Sequence, residues 1–248
     1  MIRAEGIGAF AAAPAEVLAV SYDFSRHRRL LDLGGGVGSF LVPALRRHDG
    51  LQGTLLFELP GAAAVARQLL DREPEGKRVE VVAGDFFKDP IPPGHDAIII
   101  ANVVHVFSPE HNRALFRGAR AAATPQTRLL IVDMLTDSTH TEPVFAALAA
   151  GEFLVVAGEG DVYSEEELRE WLLDTGWQPL EHKPLTGPTS LLVAAAKGAP
   201  AEGPPAAWPL RSHSKSTSEE PLTRPAKANP PPTGASRPGR GSRRGGRG

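Results

Sequence analysis

The chain has 248 residues, 27 Lys and Arg against 29 Asp and Glu, a formal net charge of −2 and no cysteine. A disulfide framework, a zinc–thiolate site and a thiol nucleophile are therefore excluded, and no apolar run reaches the roughly 18 residues of a membrane span. The alanine-rich patch at 9–13 is short and flanked by Glu5 and Glu16, which does not make a signal peptide, so a cytoplasmic protein is expected. The charge is unevenly spread: beyond Gly198 there are nine basic against three acidic residues, a net of +6, leaving −8 on residues 1–198. An acidic body is thus followed by a basic tail.

Three segments are expected: a lead-in over 1–28, a body over 29–197 and a tail over 198–248. In the lead-in, Pro14 to Val20 fits a short helix, and Asp23-Phe24-Ser25 a loop entering the first strand. From Arg29 onward apolar runs alternate with helical patterns, as in βα units. Strands are expected at Leu30 to Leu33, Thr54 to Glu58, Arg78 to Ala83, Asp96 to Ala101 and Arg128 to Asp133. The fourth is the most apolar and is expected at the centre of a parallel sheet. Helices are expected at Ser39 to Leu45, Ala62 to Asp71, Pro109 to Ala123 and Glu142 to Val156. A further helix opens at Ser164 with a cap and an acidic first turn. Trp177 to His182 and Ser190 to Ala196 close the pattern as an antiparallel hairpin at the sheet edge.

The first strand runs into Asp32-Leu33-Gly34-Gly35-Gly36-Val37-Gly38. Here the chain must turn sharply and let a ligand approach bare backbone. In an open α/β sheet this turn lies at the carboxyl end of the strand, beside the switch point where ligands bind. The spacing is not the dinucleotide fingerprint, whose last glycine would fall on Ser39. Asp32 would repel a phosphate but suits a cationic group, which points to S-adenosylmethionine, with its ammonium and sulfonium, over NAD; a glycine-rich turn with no ligand stays open. Three more features fall at the ends of successive strands. Glu58, 26 residues after Asp32, can take both hydroxyls of a ribose, Asp85 and Phe86 lie where an adenine would be met, and His105 follows the fourth strand. Each also has a plain structural reading, as a strand-end acid, a turn followed by core aromatics, and a satisfied histidine.

Taken in order, Leu31-Asp32-Leu33-Gly34-Gly35-Gly36-Val37-Gly38, Phe57-Glu58-Leu59-Pro60 and Gly84-Asp85-Phe86-Phe87 resemble the small-molecule O-methyltransferases that use S-adenosylmethionine. These include the plant caffeate and flavonoid, hydroxyindole and bacterial antibiotic-tailoring enzymes. The resemblance covers about Phe24 to Lys197. It implies a Rossmann-like, seven-stranded class I methyltransferase sheet with helices on both faces and its last strand pair antiparallel. Gly34, Gly35, Gly36 and Gly38 with Asp32 would hold the amino-acid end of the cofactor, Glu58 its ribose, and Asp85 with Phe86 its adenine. Leu59, Gly84 and Ala101 would complete the contacts. The run Val104-His105-Val106-Phe107-Ser108-Pro109-Glu110 matches the family's general-base segment, which makes His105 the base that takes a phenol proton.

Two departures bear on that base. Val106 stands where the family has Asp, and of two carboxylates flanking the base one maps near Asp133 and the other near Val162, with Asp161 its only acidic neighbour. The resemblance thus implies a base held less firmly than in the plant enzymes. The family also carries an N-terminal helical domain of about 100 residues, a common small-domain size, which dimerises and roofs the substrate pocket; this chain starts just before the catalytic part. A homodimer is the family's expectation, and residues 1–28 are expected to be the remnant of a linker to that dimerising domain.

The tail is dominated by Pro, Gly, Ser, Arg and Lys and cannot bury enough apolar surface to order itself. It resembles arginine-glycine tails that bind phosphate backbones, but lacks interleaved aromatics for stacking, and a solvated appendage is the preferred reading. Because the body is acidic, nucleic acid is not the expected partner. The leading expectation is methylation of a hydroxyl on a small aromatic or polyketide-like metabolite. Two alternatives stand beside it: the same scaffold turned to hydroxylation or decarboxylation, and a cofactor-binding domain without turnover. Formation of S-adenosylhomocysteine separates the first from the others.

Overall fold

A computed structural model describes residues 2–52 and 54–197; the tail expected from residue 198 lies outside the described residues. Seven strands form one sheet: β1 (Leu30–Leu33), β2 (Thr54–Glu58), β3 (Val79–Ala83), β4 (Ala97–Ala101), β5 (Arg128–Met134), β6 (Trp177–Thr186) and β7 (Thr189–Ala196). Their order is β3-β2-β1-β4-β5-β7-β6. The first five are parallel, with Leu31 opposite Leu55 on one side and Ile98 on the other. β7 runs antiparallel to both β5 and β6. The expected closing hairpin therefore forms, and its second arm, β7, is the one that joins the sheet while β6 becomes the edge. β4 is central, as its uninterrupted apolar run implies; all five of its residues are buried.

Alternation along the strands divides the core into two layers. Leu31, Leu33, Ile98, Ile100, Leu129 and Ile131 face one side, where α4 (Pro109–Ala122) and α6 (Glu165–Asp174) bring Leu115, Phe116, Leu168 and Trp171. Leu30, Ile99, Leu130 and Val132 face the other, covered by α1 (Ile2–Ser21), α2 (Leu41–Arg47) and α3 (Pro60–Leu70). The helix ends follow local chemistry. Ser164 and Glu167 form a reciprocal capping box at the start of α6, Pro60 and Pro109 take first-turn positions, and α5 (Val144–Ala157) ends at Gly158 with φ 85°.

The lead-in is more extensive and more integral than expected. The short helix expected at Pro14 to Val20 is the second half of α1, which encloses Pro14. Ala11, Pro14, Ala15, Leu18 and Ala19 are buried, and this three- and four-residue spacing presents one stripe to the core. Phe24 is fully buried in the same layer. Arg28 and Arg29 donate their backbone N–H groups to the Asp96 carboxylate, which ties the lead-in to the start of β4. The segment read as separate from the body thus packs into it. Among the described residues no helix is long and apolar enough to cross a membrane. α5 is nonetheless unusual: Ala146 is its only fully buried residue, while Val144, Phe145, Leu148, Leu154, Val155 and Val156 are exposed.

Candidate active site

The glycine turn leaves β1 at the switch point between β1 and β4, and a cavity of about 310 Å³ opens there. Gly34, Gly35, Gly36 and Val37, continuing into Ser39 and Phe40, form one wall; Glu58 at the end of β2, Ala101 and Asn102 at the end of β4, Ala62 and Val65 of α3, and Ala11 of α1 form the rest. Five of the expected residues are thus brought together: Gly34, Gly35, Gly36, Glu58 and Ala101. Glu58 Oε2 accepts from the Gly36 N–H at 2.9 Å, and Oε1 from the Leu59 N–H at 2.9 Å. The strand-end carboxylate therefore braces the glycine loop.

Asp32 is placed differently from the expectation. It lies on the same face of β1 as Leu30, is fully buried, and sits beneath Gly35 rather than in the cavity. A Cβ on Gly35 would overlap the Asp32 carboxylate and the Leu56 side chain, so only glycine lets the loop lie this close. Neither Asp32 oxygen has a hydrogen-bond partner. Burial, and next the charge of Glu58, push its pKa up to about 8. The other expected residues also fall outside the cavity wall. Gly38 lines a neighbouring groove of about 470 Å³, and the Leu59 side chain is exposed. Gly84 makes room for the Phe57 ring. Asp85 is occupied by the Lys88 ammonium at 2.8 Å and the Phe87 N–H at 3.0 Å. Phe86 packs beside Gly34 and edge-on to Phe87 and Phe107, with ring centres 4.8 and 5.9 Å away.

His105 sits in a 3₁₀ turn, Val104–Val106, just beyond the cavity residues Ala101 and Asn102. Its Nδ1 lies 2.6 Å from Asp133 Oδ1 in a buried environment. A carboxylate partner makes Nδ1 the donor and leaves Nε2 to take a proton. The same carboxylate accepts from the backbone N–H groups of Val104 and Met134, at 3.0 and 2.8 Å, and from that of His105 at 3.4 Å. Asn112 of α4 holds the turn from the other side by donating to the Val104 and Phe107 carbonyls, both at 2.9 Å. Of the two carboxylates that the family resemblance implies around this histidine, the one mapped near Asp133 is in place. Val106 supplies no carboxylate; Asp133 is the carboxylate that meets the ring, and it also holds the turn that carries it. Val162 is buried against Met134 and Ala146, and Asp161 supports His105 through its backbone, donating N–H to the His105 carbonyl at 3.1 Å.

Two residues that line or touch the site escaped the sequence reading. Asn102 lines the cavity at φ 55°, a backbone that Asn tolerates better than most residues, and an Asn closing an apolar strand was the available signal. Phe153, 48 residues from His105, stacks on its ring at a centroid distance of 3.9 Å; nothing local announced it.

A glycine-lined cavity at the switch point, a carboxylate at the end of the next strand and a carboxylate-held histidine after the central strand, on a sheet of this order, make up a class I methyltransferase arrangement. The model of the O-methyltransferase domain matches residues 9–178, and the chain belongs to that family. It is 35% identical over 172 residues to the 3-hydroxy-5-methyl-1-naphthoate 3-O-methyltransferase of Streptomyces sahachiroi, covering 69% of this chain and 49% of that protein. The solved structure of the mitomycin 7-O-methyltransferase MmcR superposes with a TM-score of 0.72 at 30% identity, covering 78% of this chain and 56% of that one. PigF, solved with SAH, gives 0.73 at 28% identity, covering 77% and 57%. The chain spans about half the length of these relatives.

Proposed function

We propose that this chain is the S-adenosylmethionine-binding, catalytic part of an O-methyltransferase acting on a phenolic hydroxyl of a small secondary metabolite, with His105 as general base. The observation that carries the reading is the 2.6 Å His105–Asp133 pair at the end of the central strand, directly after the residues that line the glycine cavity. The relative from S. sahachiroi, by its name, methylates a hydroxynaphthoate, and PigF was solved with SAH. Both support the same assignment here.

The residues present fit that cofactor. Backbone of Gly34 to Gly36 is bare toward the cavity, the Glu58 carboxylate can accept from ribose hydroxyls, and the unpartnered Asp32 carboxyl lies below Gly35, where a cationic amino-acid end would favour its ionised form. Gly38, Leu59, Gly84, Asp85 and Phe86 form its outer surroundings, with Phe86 and Asp85 toward the adenine. When bound, the cofactor supplies a methyl group on a sulfonium. The acceptor oxygen forms the new C–O bond as the S–C bond breaks, and the hydroxyl proton passes to His105 Nε2. Asp133 keeps the other proton on Nδ1 and stabilises the imidazolium that results. Because the displacement is in line, positioning the oxygen is a large part of the catalysis.

The test is His105→Ala, scored by S-adenosylhomocysteine formed from a hydroxynaphthoate acceptor and by calorimetric binding of S-adenosylmethionine. Turnover should fall about 10²–10⁴-fold, the usual worth of a general base, with cofactor affinity retained. Wild-type turnover by the variant at neutral pH would remove His105 as base. A second reading is supported by the exposed apolar residues of α5, since such a patch marks a surface made for a partner: the chain binds the cofactor but turns over only when another polypeptide surface covers that helix. Cofactor binding without any S-adenosylhomocysteine would favour it.

A further inference from the structure

Three separate elements converge on residue 105. β5 holds the edge of the imidazole through Asp133. The loop after α5 holds its carbonyl, where Asp161 donates a backbone hydrogen bond at 3.1 Å. Gly160 lies so close that a Cβ there would overlap the His105 carbonyl and stand 3.1 Å from the Phe153 Cβ. α5 itself covers the face of the imidazole with Phe153, 3.9 Å between ring centres and 23° between planes. A hydrogen bond at Nδ1 fixes one point of the ring and one tautomer, but it leaves the ring free to tilt about that bond. A near-parallel aromatic face removes that freedom.

We propose that Phe153 is a positioning residue for the base: its ring fixes the plane of the His105 imidazole so that Nε2 is held in one direction. The inference rests on the reading of His105 as base. The seat of Phe153 fits the role. It packs against the small cluster of Met134, Ala146 and Val162, whose first and last members neighbour Asp133 and Asp161, so it is seated on the same two segments that hold His105. The residues that follow it, Leu154, Val155 and Val156, are exposed, so α5 turns Phe153 inward against the surface that it otherwise leaves uncovered. The stack also gains when the imidazole is charged, because the face of an aromatic ring attracts a cation, which favours the product side of proton transfer.

The experiment uses the whole chain and two substitutions. Phe153→Leu keeps an apolar side chain but loses the planar face, and Phe153→Tyr keeps the face. The first readout needs no substrate. The chain has eight histidines, and the ring proton resonances of His105 are identified by their loss in His105→Gln. They should be displaced upfield by the Phe153 ring in the wild type and in Phe153→Tyr, and should lose that displacement in Phe153→Leu. The second readout is turnover of 3-hydroxy-1-naphthoate. Phe153→Leu should lower kcat by about 10- to 100-fold, the scale of a small misplacement, leaving acceptor KM and S-adenosylmethionine Kd within about twofold. Phe153→Tyr should recover most of the rate. His105 resonances unchanged in Phe153→Leu, or equal losses of rate in Leu and Tyr variants, would reduce Phe153 to a packing residue and overturn the proposal. The two readings fail separately: an active His105→Ala removes the base but not the stack, whereas unchanged resonances remove the stack but not the base.

Discussion

Replacing Asp133 by Asn changes one atom and tests the assignment at its centre. The Asp133 carboxylate is 1% exposed and accepts four hydrogen bonds. His105 Nδ1 and the Met134 N–H meet one oxygen, and the Val104 and His105 N–H groups meet the other. An amide can present its oxygen to only one of these pairs. Backbone N–H groups cannot adapt, whereas an imidazole can move its proton. The amide oxygen should therefore keep Val104 and His105, and its NH₂ should face His105 Nδ1. That nitrogen then becomes an acceptor, the proton moves to Nε2, and the nitrogen meant to take the substrate proton is blocked. The Met134 N–H is left unsatisfied in the core, which costs about 2 kcal/mol, or roughly 4–8 °C in Tm for a domain of this size. Turnover should fall about 10²–10⁴-fold with cofactor affinity unchanged. Nitrogen-15 chemical shifts of the His105 ring read the tautomer directly, and thermal melting reads the lost bond. A variant that keeps its proton on Nδ1 and works within about fivefold of wild type would refute the argument, because Asp133 would then neither set the tautomer nor support the base.

Glu58→Ala should weaken S-adenosylmethionine binding at least tenfold, since each charged hydrogen bond lost costs about 1.5–3 kcal/mol and Glu58 also braces Gly36; calorimetry with unchanged affinity would remove Glu58 from the site. The burial of Asp32, which with the Glu58 charge raises its pKa to about 8, makes stability fall with pH. In the unfolded chain this carboxyl ionises near pH ~3.9, so between there and about 8 only the folded state holds the proton. The margin is complete below the lower value and lost as pH rises through the upper. Asp32→Asn should flatten the urea-denaturation stability of the cofactor-free chain between pH 5.5 and 8, and parallel profiles for variant and wild type would count against a protonated Asp32. Truncation after Lys197 should leave the melting temperature and cofactor affinity unchanged, because the segment beyond it lacks apolar periodicity; a drop of several degrees would mean that it docks on the body.

Much of this protein was legible along the chain because its fold writes chemistry at the ends of strands. The apolar run of β4 implied a central strand, the glycine run after β1 implied a ligand turn, and Glu58 ends one strand while His105 lies four residues past another, both strands of unambiguous residue types. These are local signals, read within a few residues. α1 was under-read because its early half is alanine- and glycine-rich and offers little contrast between faces, although Ala11, Ala15 and Leu18 turn out to carry the core stripe. Asp32 was read by its chemistry as a cofactor contact, whereas strand alternation and the closeness of Gly35 bury it one layer below. Periodicity says which face of an element is covered, but not which residue of a distant element covers it. For that reason the sequence alone could determine the order of elements, the glycine cradle and the position of the histidine. The family resemblance had put a carboxylate near Asp133, but only tertiary structure decided how Asp133, 28 residues on, grips that histidine at 2.6 Å and that Phe153 lies flat against its ring, since both depend on how β5 and α5 are packed beside the central strand.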